Sequence, residues 1–211
     1  MEVGNGTKLP DREDHWTYTL ALDGLLLLNL PGTNSNANYS HCYRRVPFCL
    51  RFSQKKVNIF LWRFLLDTLP TRWNLSVKGI DISSIICHVC CNGIEIRDHL
   101  FYGYGVAVDH WAKVRIWLGC NMPSFNSWDS FLSWIEGFQI SSSNKERIIA
   151  VVVTLLWVLW HFRNGIVYND SICNRSSIFD IFRLYSFCWL KNRGHLVSNR
   201  NLWQSMLLSF L

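Results

Sequence analysis

The stretch VNIFLWRFLLDTLP, residues 57–70, decides the fold of the central part of the chain. Its apolar residues recur at the three- and four-residue spacing of an α-helix, and further apolar positions widen that stripe. The sequence therefore predicts a helix over residues 57–68 that is buried on most of its sides. Pro70 ends the helix, because proline cannot continue the helical hydrogen bonds.

The same kind of pattern predicts further helices toward the C-terminus. A capping box formed by Ser143 and Glu146 stands directly ahead of an apolar run and marks the start of the longest helix. The predicted segments are a short helix over 72–78 that stops at Gly79, a helical stretch over 97–118, a helix over 127–138, a long helix from 144 to about 163, and a last helix from 177 to about 192. Gly103 and Gly105 predict a break within 97–118, since each costs about 1 kcal/mol relative to alanine inside a helix.

The N-terminal part is predicted to be different in kind. Two apolar runs flank Asp23-Gly24, which is a hairpin signal. We expect a loose N-terminus over 1–14, a β hairpin over 15–30 and a loop over 31–54. The predicted fold class is mainly α: a short N-terminal β hairpin, a Cys/His zinc-binding-like turn and then a helical bundle, with a first domain over 15–120 and a helical region over 121–211.

Composition favours a packed core, because the chain is 49% hydrophobic and only 17% charged. Its 11 tryptophans predict either a tightly packed aromatic interior or an aromatic surface for a partner. The longest apolar run, residues 148–160, is shorter than the roughly 20 residues of a membrane-spanning helix, so we expect a core helix and no membrane. The first ten residues lack an apolar segment, which predicts an intracellular protein whose eight cysteines are thiols or metal ligands.

Basic residues are concentrated between residues 44 and 78, where a single acid, Asp67, accompanies them. Such an excess is typical of proteins that bind phosphate backbones, although a solvated basic face is an equally good interpretation. The candidate RNA- or DNA-binding residues are Arg44, Arg45, Lys55, Lys56, Arg72 and Lys78. Trp73 is a candidate for stacking on unpaired bases, with core packing as the favoured alternative.

Cys87 and Cys90 form a Cys-x2-Cys pair, and His99 follows. Two thiolates at this spacing on a turn reach one tetrahedral ion, so the pair is typical of the first half of a zinc site. The alternative is a pair of ordinary thiols near the start of a helix.

Three pieces of sequence carry a resemblance to a known family: residues 57–75, the Gly-Ile-Asp-Ile of residues 79–82, and the Cys-x2-Cys-x4-Glu-x3-His pattern of residues 87–99. In order and spacing they resemble the zinc-binding domain that follows the polymerase in plant LINE-type reverse transcriptases. The resemblance is strongest over 55–120.

The resemblance implies that Cys87, Cys90 and His99 bind Zn²⁺ and that a cysteine stands five residues after the histidine. This chain has Tyr104 there, and a phenol with a pKa near 10 is a poor substitute for a thiolate. Other donors without the family spacing are Cys91, His88, His110 and Cys120.

Two functional hypotheses follow. The first is a retroelement-derived accessory module that contacts RNA, DNA or the parent reverse transcriptase. It is expected not to be an enzyme and to have no small-molecule substrate, since the Tyr/Phe-x-Asp-Asp element that holds magnesium in polymerases is absent from the sequence. The second is an eroded helical remnant, without biochemical activity or re-used for protein association. Tyr104, the extra residues 48–55, and Gly103 with Gly105 depart from the family pattern and favour it.

Overall fold

The structure of the protein, a computed structural model, describes residues 18–20, 26–28, 55–168 and 174–191. Strands β1 (Tyr18–Leu20) and β2 (Leu26–Leu28) pair antiparallel, with Tyr18 opposite Leu28. The rest of the predicted hairpin, the predicted loose N-terminus and the predicted loop over 31–54 lie outside the described residues.

From residue 55 onward the described chain is mostly helical. The α-helices are α1 (Lys55–Leu65), α2 (Arg72–Val77), α3 (Gly105–Leu118), α4 (Trp128–Gly137), α5 (Ser142–Tyr168) and α6 (Ile178–Lys191). A π-helical turn (His99–Gly103) precedes α3, and a 3-10 turn (Arg175–Ser177) precedes α6. The predicted mainly helical class is therefore confirmed for these residues.

Local sequence explains how α2 begins and ends. The Thr71 hydroxyl accepts a hydrogen bond from the Asn74 N–H at 3.2 Å and so caps the free N–H groups of the first turn. Gly79 follows the last turn with φ of 74°, a left-handed conformation that favours glycine. The predicted short helix is thus confirmed.

The predicted break at Gly103 and Gly105 is also confirmed. The π-helical turn closes with a hydrogen bond of 3.0 Å from the Tyr104 N–H to the His99 carbonyl. Tyr104 is extended, with φ −90° and ψ 154°, and Gly105 is the first residue of α3.

The predicted start of α5 is wrong by two residues. The cap is Ser141, whose hydroxyl accepts from the Asn144 N–H at 3.3 Å, and not Ser143. Serines 141–143 are equally good caps by residue type. The choice among them depends on where the chain leaves α4. A hydrogen bond of 2.7 Å from Lys145 Nζ to the Glu136 carbonyl helps to fix that position. The helix also continues to Tyr168, beyond the predicted end near residue 163.

The core is built around aromatic rings. Phe64 lies 5.0 Å from Phe101 and 5.7 Å from Trp128 between ring centroids, and Phe60 lies 6.4 Å from Trp160. This confirms the predicted aromatic interior.

Helix α1, however, is not buried on most of its sides. Ile59 is 54% exposed, because neighbouring elements cover only the face that carries Phe60 and Phe64.

Helix α5 forms the centre of this core. It contacts α1, α6 and the π-helical turn, and residues 148, 150–156 and 158–160 are buried. By length and composition it could cross a membrane, but 72% of its most apolar window is buried inside the protein, as the prediction of a core helix requires. The chain divides into two compact units between residues 47 and 48. The predicted division into a first domain over 15–120 and a helical region over 121–211 stays a prediction.

Candidate metal centre

A short closed turn, residues 86–94, carries the two candidate cysteine ligands; we refer to it as the cysteine turn. The Cys91 N–H donates to the Cys87 carbonyl at 2.9 Å, and the Cys87 N–H donates to the Gly93 carbonyl at 2.9 Å. An antiparallel bridge between Ile86 and Ile94 closes the base of the turn. These bonds direct both cysteines toward one side.

Gly93 is required for the approach of His99 to this turn. Its φ is 76°, and a Cβ atom at this position would lie 3.3 Å from His99 Cε1. Any larger residue would therefore be strained and would push the imidazole away. With glycine in place, His99 Nε2 lies 3.2 Å from Cys90 Sγ.

The ligand atoms of Cys87, Cys90 and His99 all lie within 4.8 Å of one another. A tetrahedral zinc ion with Zn–S of about 2.3 Å and Zn–N of about 2.0–2.1 Å requires ligand atoms about 3.5–3.8 Å apart. Two sulfurs and an imidazole are also the donors that zinc prefers. The three residues therefore fit a zinc ion, and they form the one such group in the part of the chain that the structure describes.

Burial shifts the pKa values of two of these ligands, Cys87 and His99. It raises the pKa of the Cys87 thiol to about 11, although hydrogen bonds from the backbone of Cys90 and Val89 act in the opposite direction. Burial lowers the pKa of His99, against the opposing charge of Glu95. The imidazole is therefore neutral and ready to bind a metal, whereas Cys87 must lose its proton when the metal binds.

Tyr104 lies beside this group. Its ring centroid is 6.1 Å from that of His99, and its buried hydroxyl has no hydrogen-bond partner among the described residues. Burial, followed by the nearby Cys87, raises the pKa of Tyr104, so the side chain is a neutral phenol. A neutral phenol does not replace a thiolate as the fourth ligand.

None of the alternative donors joins the three-residue group: Cys91, His88, His110 and Cys120. His88 Nδ1 lies instead 2.9 Å from the Arg72 guanidinium. His110 Nδ1 lies 2.7 Å from the Val106 carbonyl within its own helix.

The predicted phosphate-binding residues have different surroundings. Arg72 donates to the carbonyls of Ser84 at 3.2 Å and Ile86 at 3.1 Å, so its guanidinium is engaged in holding the cysteine turn. Lys56 and Lys78 are exposed. Two of the six candidates, Arg44 and Arg45, and the side chain of Lys55 lie outside the described residues.

The position of Trp73 differs from the sequence analysis, which favoured packing of this residue in the core. Its side chain is 41% exposed. The Trp73 N–H donates to the Glu95 carbonyl at 3.3 Å, which places α2 against the chain after the cysteine turn and leaves the indole at the surface. The prediction of core packing for this residue is therefore wrong.

Sequence reasoning missed one feature of the site, the buried ion pair of Glu95 with Arg163. Their side chains are 0% and 3% exposed, and Arg163 Nη2 donates to Glu95 Oε1. An arginine shortly after the apolar run of residues 148–160 is the signal that could have suggested a buried carboxylate partner.

The fold and the ligand group define a small helical domain with a zinc-site geometry on a turn. Residues 39–111 match the model of the family described as zinc-binding in reverse transcriptase. The match contains all three candidate ligands, ends within α3 and covers less than half of the chain. No curated protein matches the chain. Among solved structures there is no match either.

Proposed function

We propose that this protein is a zinc-binding accessory module derived from the reverse transcriptase of a plant LINE-type retroelement, and that it contacts RNA or DNA. The observation that supports it best is the Cys87, Cys90 and His99 group within 4.8 Å, inside the residues that match the family. Three protein ligands leave the fourth position of a tetrahedral zinc ion open, which is the arrangement of catalytic zinc sites. We nevertheless assign a structural role, because the carboxylate next to the turn, Glu95, is paired with Arg163 and so does not serve as a general base.

Zinc supplies a cross-link with three protein bonds at this position. Cys87 and Cys90 would hold it from the cysteine turn, and His99 would hold it from the π-helical turn that leads into α3. The chain's own residues prepare this arrangement: Gly93 admits the imidazole, and burial keeps His99 neutral. Because two segments are joined, binding stabilises the folded state.

The nucleic-acid contact is assigned to the surface of α1 and α2. Lys56 and Lys78 are exposed cations, and the exposed indole of Trp73 lies on α2 between the two along the chain. Phosphates would be neutralised by the lysines, and an unpaired base would stack on the indole. Arg72 is left out of this surface because the cysteine turn engages its guanidinium.

Zinc content tests the metal site. The purified chain is expected to hold a single tightly bound zinc, measured by atomic emission, and Cys87→Ser is expected to lose it. Cys188→Ser in α6 is the matched control, because this cysteine lies outside the ligand group. Absence of zinc from a folded chain, or its retention in Cys87→Ser, would overturn the assignment.

Salt dependence tests the nucleic-acid contact. Affinity for an unstructured RNA oligonucleotide is expected to fall steeply with salt, and each lost phosphate contact reduces the logarithmic slope by about 0.7. Lys56→Gln and Lys78→Gln are expected to show this reduction, whereas Lys113→Gln, an exposed lysine of α3, is not. Trp73→Ala is expected to lose about 1–3 kcal/mol of binding energy. A flat response to salt would contradict the proposal.

A second candidate is a remnant without biochemical activity or one re-used for protein association. The observation that favours it is a set of exposed apolar side chains on α2 and the following segment: Trp73, Val77, Ile80, Ile86, Ile94 and Ile96. Exposed apolar residues close together in the chain are typical of protein contact surfaces. A folded chain that binds neither zinc nor RNA would make this candidate the better explanation.

A further inference from the structure

The Glu95 carboxylate connects the cysteine turn to elements on either side of it. Its Oε2 accepts a hydrogen bond of 3.3 Å from the N–H of His88, which lies between the two candidate cysteine ligands. Its Oε1 accepts from the Arg72 N–H at 3.0 Å and from the Arg163 guanidinium. The conformation of the turn therefore depends on a buried charge that α5 balances.

Arg163 is itself held in place by the core. Its Nη1 donates to Asn164 Oδ1 at 3.0 Å, and its Cζ lies 5.0 Å from the centroid of the Trp160 ring. Trp160 packs against Phe60 and Phe101 at 6.4 Å each. These contacts hold the guanidinium where it reaches Glu95.

A carboxylate that is fully buried and loses its counter-charge is strongly disfavoured. Loss of the contact with α5 would therefore leave a buried carboxylate beside the cysteine turn without its counter-charge. The family match ends at residue 111, so this contact comes from a part of the chain beyond the matched domain.

We infer that Arg163 is a positioning residue for the metal centre: through Glu95 it holds the cysteine turn in its ligand-binding geometry, and the metal-binding unit extends from the matched domain into α5. This inference rests on the proposed zinc function. By thermodynamic linkage, a metal ion bound at the turn must tighten the contact with α5 by the same factor.

Cobalt(II) affinity of the full chain, measured by optical titration with zinc competition, tests the inference. Arg163→Met removes the charge and retains an apolar side chain, but it leaves Glu95 unpaired and risks unfolding. The double variant Glu95→Gln/Arg163→Met contains no unpaired buried charge and is the informative one. The glutamine at position 95 has one amide oxygen in place of the two carboxylate oxygens of Glu95. The backbone N–H groups of His88 and Arg72, which donate to different oxygens of Glu95, therefore cannot both keep an acceptor of their own.

We expect the double variant to bind cobalt about 10–100-fold more weakly than the unmodified chain, the usual effect of removing a residue that orients metal ligands. Arg183→Met in α6 is the matched control, since its guanidinium pairs with the exposed carboxylate of Asp180; its affinity is expected to be unchanged. Equal affinities in the double variant and the unmodified chain, with both folded by circular dichroism, would overturn the inference.

Amide hydrogen exchange separates failure of this inference from failure of the proposed function. In the metal-free protein, exchange at His88 is expected to be faster in the double variant than in the unmodified chain. When metal is added, exchange around Arg163 is expected to slow in the unmodified chain and to respond less in the double variant. No metal binding by the unmodified chain would refute the zinc function alone, whereas unchanged exchange at His88 would refute the coupling between the turn and α5.

Discussion

Removal of the Phe64 ring tests how α1 is held in the core. The Phe64 side chain is 0% exposed. Its ring meets Phe101 at 5.0 Å and Trp128 at 5.7 Å, both edge to face, and Arg97 Cζ lies 5.5 Å from its centroid. One side chain of α1 therefore joins the π-helical turn, α4 and the segment that leads out of the cysteine turn.

The magnitude of the effect follows from these contacts. Truncation of a buried phenylalanine to alanine costs about 3–5 kcal/mol. Each edge-to-face pair accounts for about 0.5–1.5 kcal/mol beyond the buried area. Because Phe64 makes two such pairs, we expect Phe64→Ala to lie at the upper end, and Phe64→Leu, which retains most of the apolar volume, to lose about 1–3 kcal/mol.

Urea denaturation of the metal-free protein, followed by tryptophan fluorescence, measures these losses. Ile59→Ala is the control on the same helix: this residue is 54% exposed, so its change in unfolding free energy is expected to stay within about 0.5 kcal/mol. A loss below about 1 kcal/mol for Phe64→Ala would mean that the ring is not packed as described, and the reasoning about the core would be refuted.

Further predictions concern metal, backbone and pH. Zinc at 100 times its Kd is expected to raise the free energy of unfolding by about 2.7 kcal/mol, and Cys90→Ser is expected to abolish this gain in parallel urea titrations. Gly93→Ala is expected to weaken zinc binding because its Cβ would lie 3.3 Å from His99, whereas Gly79→Ala, with φ of 74° and open space, is expected to cost stability without changing zinc affinity; equal zinc affinities in both variants would contradict this. Burial lowers the pKa of His110, so the unfolded chain, with a pKa of about 6.5, takes up a proton before the folded chain does, and stability decreases as pH falls through that value. His110→Gln is expected to show a smaller decrease in denaturation midpoint between about pH 7 and pH 5, and an unchanged pH dependence would exclude this histidine as the cause.

Features set by neighbouring residues were predictable from the sequence. The apolar spacing of residues 57–68 predicted α1, and Gly103 with Gly105 predicted the break before α3. The Cys-x2-Cys pair with a following histidine predicted the ligand group that the structure brings together. Helical period, glycine cost and ligand spacing are local properties, so the order of residues is sufficient for them.

Where several residues satisfy the same local rule, the sequence did not decide between them. Serines 141–143 are alike as helix caps, and the fold selects Ser141. Tryptophan is a residue type that usually packs in the core, but Trp73 is exposed because of the way in which α2 lies against the chain after the cysteine turn. The direction in which a side chain points depends on how elements pack and not on residue type alone.

The sequence by itself determined that this protein is mainly helical in its described part and that it carries a zinc-type ligand pattern, within residues that match the reverse transcriptase zinc-binding family. The tertiary structure decided what supports that pattern. Glu95 meets Arg163 across 68 positions of chain, and Arg72 is engaged by the cysteine turn instead of remaining free for phosphates. Such pairings depend on the docking of α5 and α2, because a buried charge finds its partner only when distant parts of the chain have come together.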